Sequence, residues 1–239
     1  YMGDVTVDYA IRRSTNTVAV RVLQLLTPQV SYDFMVNQLH FTTLVGSGAN
    51  NDVDRAPLGL GALTNGVTVM EMTAAYQIFD NGGLYYEPYS YSVVYDSEGN
   101  VVLEQNPTPQ RVISEDSAEV MNKLLQRVVN GAQGTGGTAK FGSMPVAGKT
   151  GTAENAHGRD HGWFVAYAPY DKPQIVVVAL VEQGSFGAGS AGPIVRDVLA
   201  AYFNVPLNKK TNDTNTKSNK NTATVGTTAN GQKPENAVT

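Results

Sequence analysis

The chain contains no cysteine. Disulfides, thiolate metal sites and a cysteine nucleophile are therefore excluded, while the redox compartment stays open. Long apolar runs are also missing. The longest, Ile175 to Val181, falls far short of the ~20 residues that cross a bilayer. Positive charge is in short supply: 17 Lys and Arg against 21 Asp and Glu give a net charge of -4. With no long basic stretch in the body of the chain, the field that nucleic-acid binding needs is absent. No signal-peptide pattern opens the chain. It begins at Tyr1 inside what reads as structured sequence, so it is expected to be a piece whose targeting segment, if there is one, lies upstream.

What is present suits a globular fold. Of 239 residues, 41% are hydrophobic, enough for a core and for one large domain with or without a tail. The composition shifts at Asn208. From there to Thr239, Asn, Thr and Lys dominate, and such a stretch buries too little to offset ordering entropy. The expected division is a folded part, 1–207, and a disordered tail, 208–239.

Helical periodicity places Ile11, Val18, Val22 and Leu25 on one face of Asp8 to Leu26. Ser14-Thr15-Asn16, three small polar residues that favour caps, predict a break there. Thr27-Pro28 reads as the start of a helix reaching about Leu39. Thr68 and Glu71 form a capping box before Met72, Ala75, Tyr76 and Phe79, and Gly82-Gly83 ends that helix. Ser114 caps a helix bearing Val120, Leu124, Leu125 and Val128, and a last helix, Pro193 to Phe203, turns Ile194, Val198 and Ala201 to one side. Strands are predicted at Tyr89 to Tyr95 and Val101 to Glu104, around the turn Ser97-Glu98-Gly99-Asn100, and at Pro145 to Ala153, Trp163 to Ala168 and Gln174 to Glu182. Helices with an antiparallel sheet make an α+β fold.

Two motifs carry chemistry, and each alone is weak. Ser14-Thr15-Asn16 sits at the helix break, and Lys149-Thr150-Gly151-Thr152 on a strand. Together a hydroxyl, a carboxamide and an ammonium can carry a proton and hold a polar acyl substrate. A Lys-Thr-Gly strand at a sheet edge can pair with an extended peptide. Lys149, Thr150 and Thr152 can bind a terminal carboxylate, and Gly151 lets substrate approach the backbone.

Ser-Xaa-Asn followed by Lys-Thr-Gly is the order found in the serine acyl-transferases that react with penicillin, after an upstream Ser-Xaa-Xaa-Lys. The surroundings agree: GKTGTA at 148–153, GWFVAYAP at 162–169, Leu60-Gly61, and GVTVMEMTAAYQIFDNGG at 66–83. Over nearly all of Asp4 to Phe203 the chain resembles the C-terminal part of a penicillin-binding protein's transpeptidase domain. STNTVAVRVLQLL at 14–26 is similar to bifunctional class A members, whereas 163–203 is closer to class B; the balance leans to class A.

The resemblance implies a penicillin-binding, serine β-lactamase-like α+β fold with its nucleophile helix missing, because no serine in this chain has lysine three residues later. It implies a peptidoglycan D,D-transpeptidase that cross-links stem peptides through a serine acyl-enzyme, with Ser14 relaying a proton, Asn16 orienting the substrate amide, Lys149 supporting the proton network, and Thr150 and Thr152 on the carboxylate. The implied partners are a stem peptide ending in D-Ala-D-Ala, β-lactams, and the upstream part of the same protein. A membrane anchor outside this chain and an extracytoplasmic location follow from the resemblance alone, as does the lack of any metal or cofactor. A β-lactamase or D,D-carboxypeptidase shares the motifs; a non-catalytic penicillin-recognising sensor or scaffold is the alternative outside enzymes.

Plainer readings stand beside these. Ser14 and Asn16 can simply cap a helix. His157 and His161, near Glu154 and Asp160, sit in a glycine-bounded loop that suits a cleft rim better than a metal. Trp163, Phe164 and Tyr167 are expected in the core or on a sheet face rather than stacked on a ligand. Arg12, Arg13 and Arg21 read as a solvated helix face. Gly184 to Gly192 resembles a phosphate loop only in its glycines.

Overall fold

The structure, a computed structural model, describes residues 3–155 and 157–207. The expected tail, 208–239, lies outside them. The described residues give seven helices, α1(Val7–Arg13), α2(Asn16–Leu26), α3(Pro28–Asn37), α4(Arg55–Leu60), α5(Val69–Asp80), α6(Glu115–Asn130) and α7(Gly187–Tyr202), and a short 3-10 turn at Gly137–Ala139. The main sheet is antiparallel, in the order β5(Ala147–Ala153), β6(His161–Ala168), β7(Ile175–Val181). Two small ribbons pair β1(Leu84–Tyr85) with β4(Gln110–Arg111) and β2(Val93–Tyr95) with β3(Val101–Glu104).

β6 is the middle strand and reads apolar without alternation because both its faces are covered. Phe164, Ala166 and Ala168 join Ala191, Val195 and Leu199 of α7 in one core cluster. Tyr167, on the opposite face, packs with Leu125 of α6 and Tyr76 and Phe79 of α5. Register then assigns β5: Lys149 pairs with Val165 and Gly151 with Trp163, so both lie on the α5–α6 face. β5 keeps one backbone edge unpaired among the described residues.

Most of the expected elements form, with the break between α1 and α2 and the Thr68–Glu71 capping box both present. Two expectations need correction, the start of α7 and the length of the strand over 89–95. α7 begins at Gly187, not Pro193, so most of the glycine-rich stretch is helix, with Pro193 inside it. Gly187 and Gly192 are there for packing. A Cβ on Gly187 would lie 2.0 Å from the Trp163 carbonyl oxygen and 2.3 Å from that of Gly151. The buried stripe of α7 is Ala191, Val195 and Leu199, whereas Ile194 and Val198 are 46% and 44% exposed. On α6, Val120 likewise points outward. On α2, Val22 and Leu25 are exposed and Leu23 alone is buried. The strand expected over 89–95 shrinks to β2, because Pro107, opposite its first half, lacks the N–H a ladder needs.

Two carboxylates hold the irregular stretch between α3 and α5. Asp52 is fully buried and accepts from the N–H groups of Val45 and Thr64 and from the Thr64 hydroxyl, each at 2.8 Å. Burial works to raise its pKa, yet these bonds outweigh it and hold it below the usual carboxylate value. Glu71 accepts from Thr42 N–H at 2.6 Å and from Thr68 N–H at 2.8 Å, tying α5 to the segment after α3.

Candidate active-site cleft

The two motifs, 135 residues apart in sequence, meet. Lys149 Nζ donates to Ser14 Oγ at 2.8 Å and to the Thr150 carbonyl at 2.8 Å. Ser14 owes its place to the way α1 ends. It takes the left-handed conformation, φ 54° and ψ 53°, and its N–H reaches back to the carbonyls of Ala10 and Ile11. α1 is itself pinned. Asp8 pairs with Arg12 at 3.6 Å and with Arg127 of α6 at 2.6 Å. Arg12 Nη1 donates to the Ala132 carbonyl and Arg13 Nη1 to that of Gln133, the latter at 3.2 Å. Arg12, half-buried, and Arg13, exposed, therefore do more than form a solvated face: they clamp the helix break against α6 and the turn that follows it.

Thr135, in that glycine-rich turn, completes the bridge. Its hydroxyl lies 3.0 Å from Thr150 Oγ1 and 3.5 Å from the Arg12 carbonyl oxygen. Nothing in the sequence flags this residue, because a lone Thr among glycines carries no periodicity or motif.

Asn16 opens α2 and is exposed, and no hydrogen bond joins it to Ser14, Lys149 or the threonines among the described residues. Thr152 is exposed on β5. Gly151 has a packing reason as well as the expected one, since a Cβ there would lie 3.0 Å from the Cβ of Trp163.

Beside β5 lies a cavity of about 290 Å³, walled by Lys149, Gly151 and Trp163 on the sheet and by Leu58, Met72 and Tyr76 on the helices. Its lining is mainly apolar. Burial beside it pushes the Lys149 ammonium down to about 8. A lysine poised there exchanges its proton near neutral pH and still supplies a cation for a carboxylate. His161 is the first residue of β6 rather than part of a loop, and its Nδ1 accepts from Gln183 N–H at 3.1 Å. Among the described residues no three His, Asp or Glu side chains gather as a metal site. Phe164 and Tyr167 are fully buried in the core.

An antiparallel sheet bearing Lys-Thr-Gly on its edge, with a Ser-Xaa-Asn helix break hydrogen-bonded to it, has the layout of the acyl-transferase scaffold that the motifs resemble. Comparison with known proteins places it. Residues 1–200 match the penicillin binding protein transpeptidase domain, and the chain belongs to that family. Penicillin-binding protein 1A of Clostridium acetobutylicum is 39% identical over 172 residues, 71% of this chain and 20% of the relative. Penicillin-binding protein 4 of Bacillus subtilis is 34% identical over 163 residues, 68% of this chain and 24% of that one. The D,D-transpeptidase domain of a peptidoglycan glycosyltransferase from Eggerthella lenta superposes with a TM-score of 0.68 at 24% identity, covering 84% of this chain and 54% of its own. The 1A relatives support the class A side of the resemblance. The chain spans about a fifth of the length of these curated relatives.

Proposed function

We propose that this chain forms the substrate-binding wall and part of the proton relay of a peptidoglycan D,D-transpeptidase, and that the nucleophilic serine with its lysine lies outside it. The observation that carries the reading is the 2.8 Å contact between Lys149 Nζ and Ser14 Oγ at the rim of an apolar cavity. Because the ammonium donates to Ser14, the Ser14 hydroxyl keeps its own proton to give. The absent serine attacks the penultimate D-Ala carbonyl of a stem peptide ending in D-Ala-D-Ala. Its proton passes through Ser14 to the leaving nitrogen, the C–N bond breaks, and D-Ala departs. An amine from a neighbouring strand then takes the acyl group and returns a proton to the serine. Thr150 and Thr152 hold the carboxylate with Lys149 behind them, Asn16 orients the substrate amide, and the Thr152 N–H is one oxyanion donor. β-Lactams enter by the same route as acylating mimics.

The apolar cavity beside Lys149 is the seat for the helix that brings the nucleophile. β7 supports this view of an incomplete domain: its apolar run IVVVALV is only half-buried throughout, and it stands at the end of the sheet. No helix among the described residues is long and apolar enough to cross a membrane.

The test uses the chain extended upstream through the Ser-Xaa-Xaa-Lys helix. Lys149→Ala is expected to slow acylation by a fluorescent penicillin at least ~100-fold, the scale of losing one preorganised charged group. Cross-linked product from lipid-linked stem peptides separates transfer from hydrolysis. Wild-type acylation rates in the Lys149→Ala protein would overturn the assignment.

A further inference from the structure

A second cleft, about 450 Å³, opens on the other side of the first turn of α5. Met72 faces the cavity beside Lys149, whereas Met70 lines this cleft and is 63% exposed. Its other walls come from the segments flanking the β2–β3 ribbon: Pro88, Tyr89 and Tyr91 on one side, Gln105 and Pro107 on the other. Tyr89 and Tyr91 are 52% and 36% exposed. Large aromatic rings left open in a concavity mark recognition more than packing.

The cleft is held in shape. Gln105 Nε2 donates to Tyr91 Oη at 2.7 Å, and Gln105 N–H to the Ser92 carbonyl at 2.9 Å. Gln77 Nε2 of α5 donates to the Tyr86 carbonyl at 2.7 Å, and Glu87 pairs with His40 Nδ1 at 3.3 Å. The tyrosines are thus presented on a fixed frame, with little ordering left for a ligand to impose.

The chemistry of the lining narrows the ligand. No lysine, arginine or histidine lines the cleft, and its carboxylate is Glu87. An anionic ligand would find no cation to pair with. A flat apolar face with hydrogen-bonding groups at its rim fits two tyrosine rings, two prolines and a methionine, edged by an amide, a carboxylate and a hydroxyl. A sugar ring has that form, with C–H bonds on its face and hydroxyl or acetamide groups around it. A cleft of this size falls in the range of about 300–1,000 Å³ that holds a small ligand.

We propose that this cleft binds an uncharged, N-acetylated aminosugar chain, the glycan that carries the stem peptides worked on at β5. The proposal rests on the transpeptidase reading for its choice of glycan and on the lining for its chemistry. Binding there holds the strand while its peptide lies at the catalytic wall, so the site sets which strands are used and takes no part in acyl transfer.

The experiment titrates this chain with a β-1,4-linked N-acetylglucosamine hexamer by calorimetry, with maltohexaose and a proline decamer as comparisons and circular dichroism to show each variant folded. Saturable binding of the hexamer is expected, weakened about tenfold by Tyr89→Ala or Tyr91→Ala, the usual scale for truncating an aromatic anchor, and unchanged by Lys149→Ala. Absence of hexamer binding, or equal binding by folded tyrosine variants, overturns the proposal. Binding of maltohexaose as tightly as the hexamer removes the acetamide from it, and tyrosine-dependent binding of the proline decamer alone replaces the glycan with a peptide. Penicillin labelling of the upstream-extended chain should be unaffected by Tyr89→Ala. Loss of that labelling in every form would sink the transpeptidase reading while leaving a measured hexamer affinity in place.

Discussion

On the α7 side of the sheet, Phe164, Ala166, Ala191, Val195 and Leu199 are all fully buried. On the helical side, α2 buries Leu23, while Val22, Leu25 and Leu26 stand 52%, 77% and 50% exposed, with Val30 of α3 at 50%. Both regions are comparably apolar in sequence. They differ in degree: α7 buries a full stripe and leaves Ile194 and Val198 on its outer face, whereas α2 buries Leu23 alone. The first region is a closed core; the second is a surface composed like a core, and such surfaces mark where another element packs. Ser14, Lys149 and the cavity beside β5 lie at the seam between the two. A site at the edge of a finished core inherits rigidity from that side.

The comparison breaks most sharply at Phe164. Phe164→Ala removes a fully buried ring from the closed side, and a loss of about 3–5 kcal/mol in the urea unfolding free energy is expected. A loss below about 1 kcal/mol would mean that the α7 side is not closed.

The contrast explains what was legible in the sequence. Caps and turns are local, so the Ser14–Asn16 break, the Thr68–Glu71 box and the 97–100 turn could all be read from residue type. β5, β6 and β7 were legible as well, because runs of β-branched and aromatic residues between turn signals have few other uses. Periodicity finds an apolar face but does not say what covers it. That is why Val22 and Leu25 on α2, Val120 on α6 and Ile194 and Val198 on α7 have helical spacing and yet stand in solvent. Gly187 to Gly192 was opaque for another reason: Gly187 answers to the carbonyls of Trp163 and Gly151 and Gly192 to the hydroxyl of Thr138, contacts across distant sequence. The Lys149–Ser14 pairing was legible only as two motifs in a family order. The clamp that sets it, Arg12 and Arg13 on the turn carbonyls and Thr135 on Thr150, had no signal at all.

Asp80, the last residue of α5, sharpens the comparison at the seam. Burial pushes its carboxyl up to about 7, and a carboxylate at a helix C-terminus gains nothing from the helix dipole. Its folded pKa exceeds the unfolded value of 3.8, so the folded state holds the extra proton between the two. The stability this brings is present at low pH, is lost as pH rises toward 7, and changes no further above that. Asp80→Asn should therefore stabilise the chain at pH 8, by about 2–4 kcal/mol, and by far less at pH 4. An equal effect at both pH values would show the end of α5 to be wet.

Leu25→Ala probes the open side, and its effect should be the smallest, within about 0.5 kcal/mol for this chain alone. In the chain extended upstream the same substitution should cost more, because the residue would then be covered. Equal cost in both would leave the α2 surface without the role assigned to it.

The central claim is that this chain holds the binding wall of an acyl-transferase and not its nucleophile. Fluorescent-penicillin labelling of this chain beside the chain extended upstream, both shown to be folded, tests it most directly. A covalent label is expected on the extended chain alone. A label on this chain by itself would contradict it, and the labelled residue would be the nucleophile that the account places elsewhere.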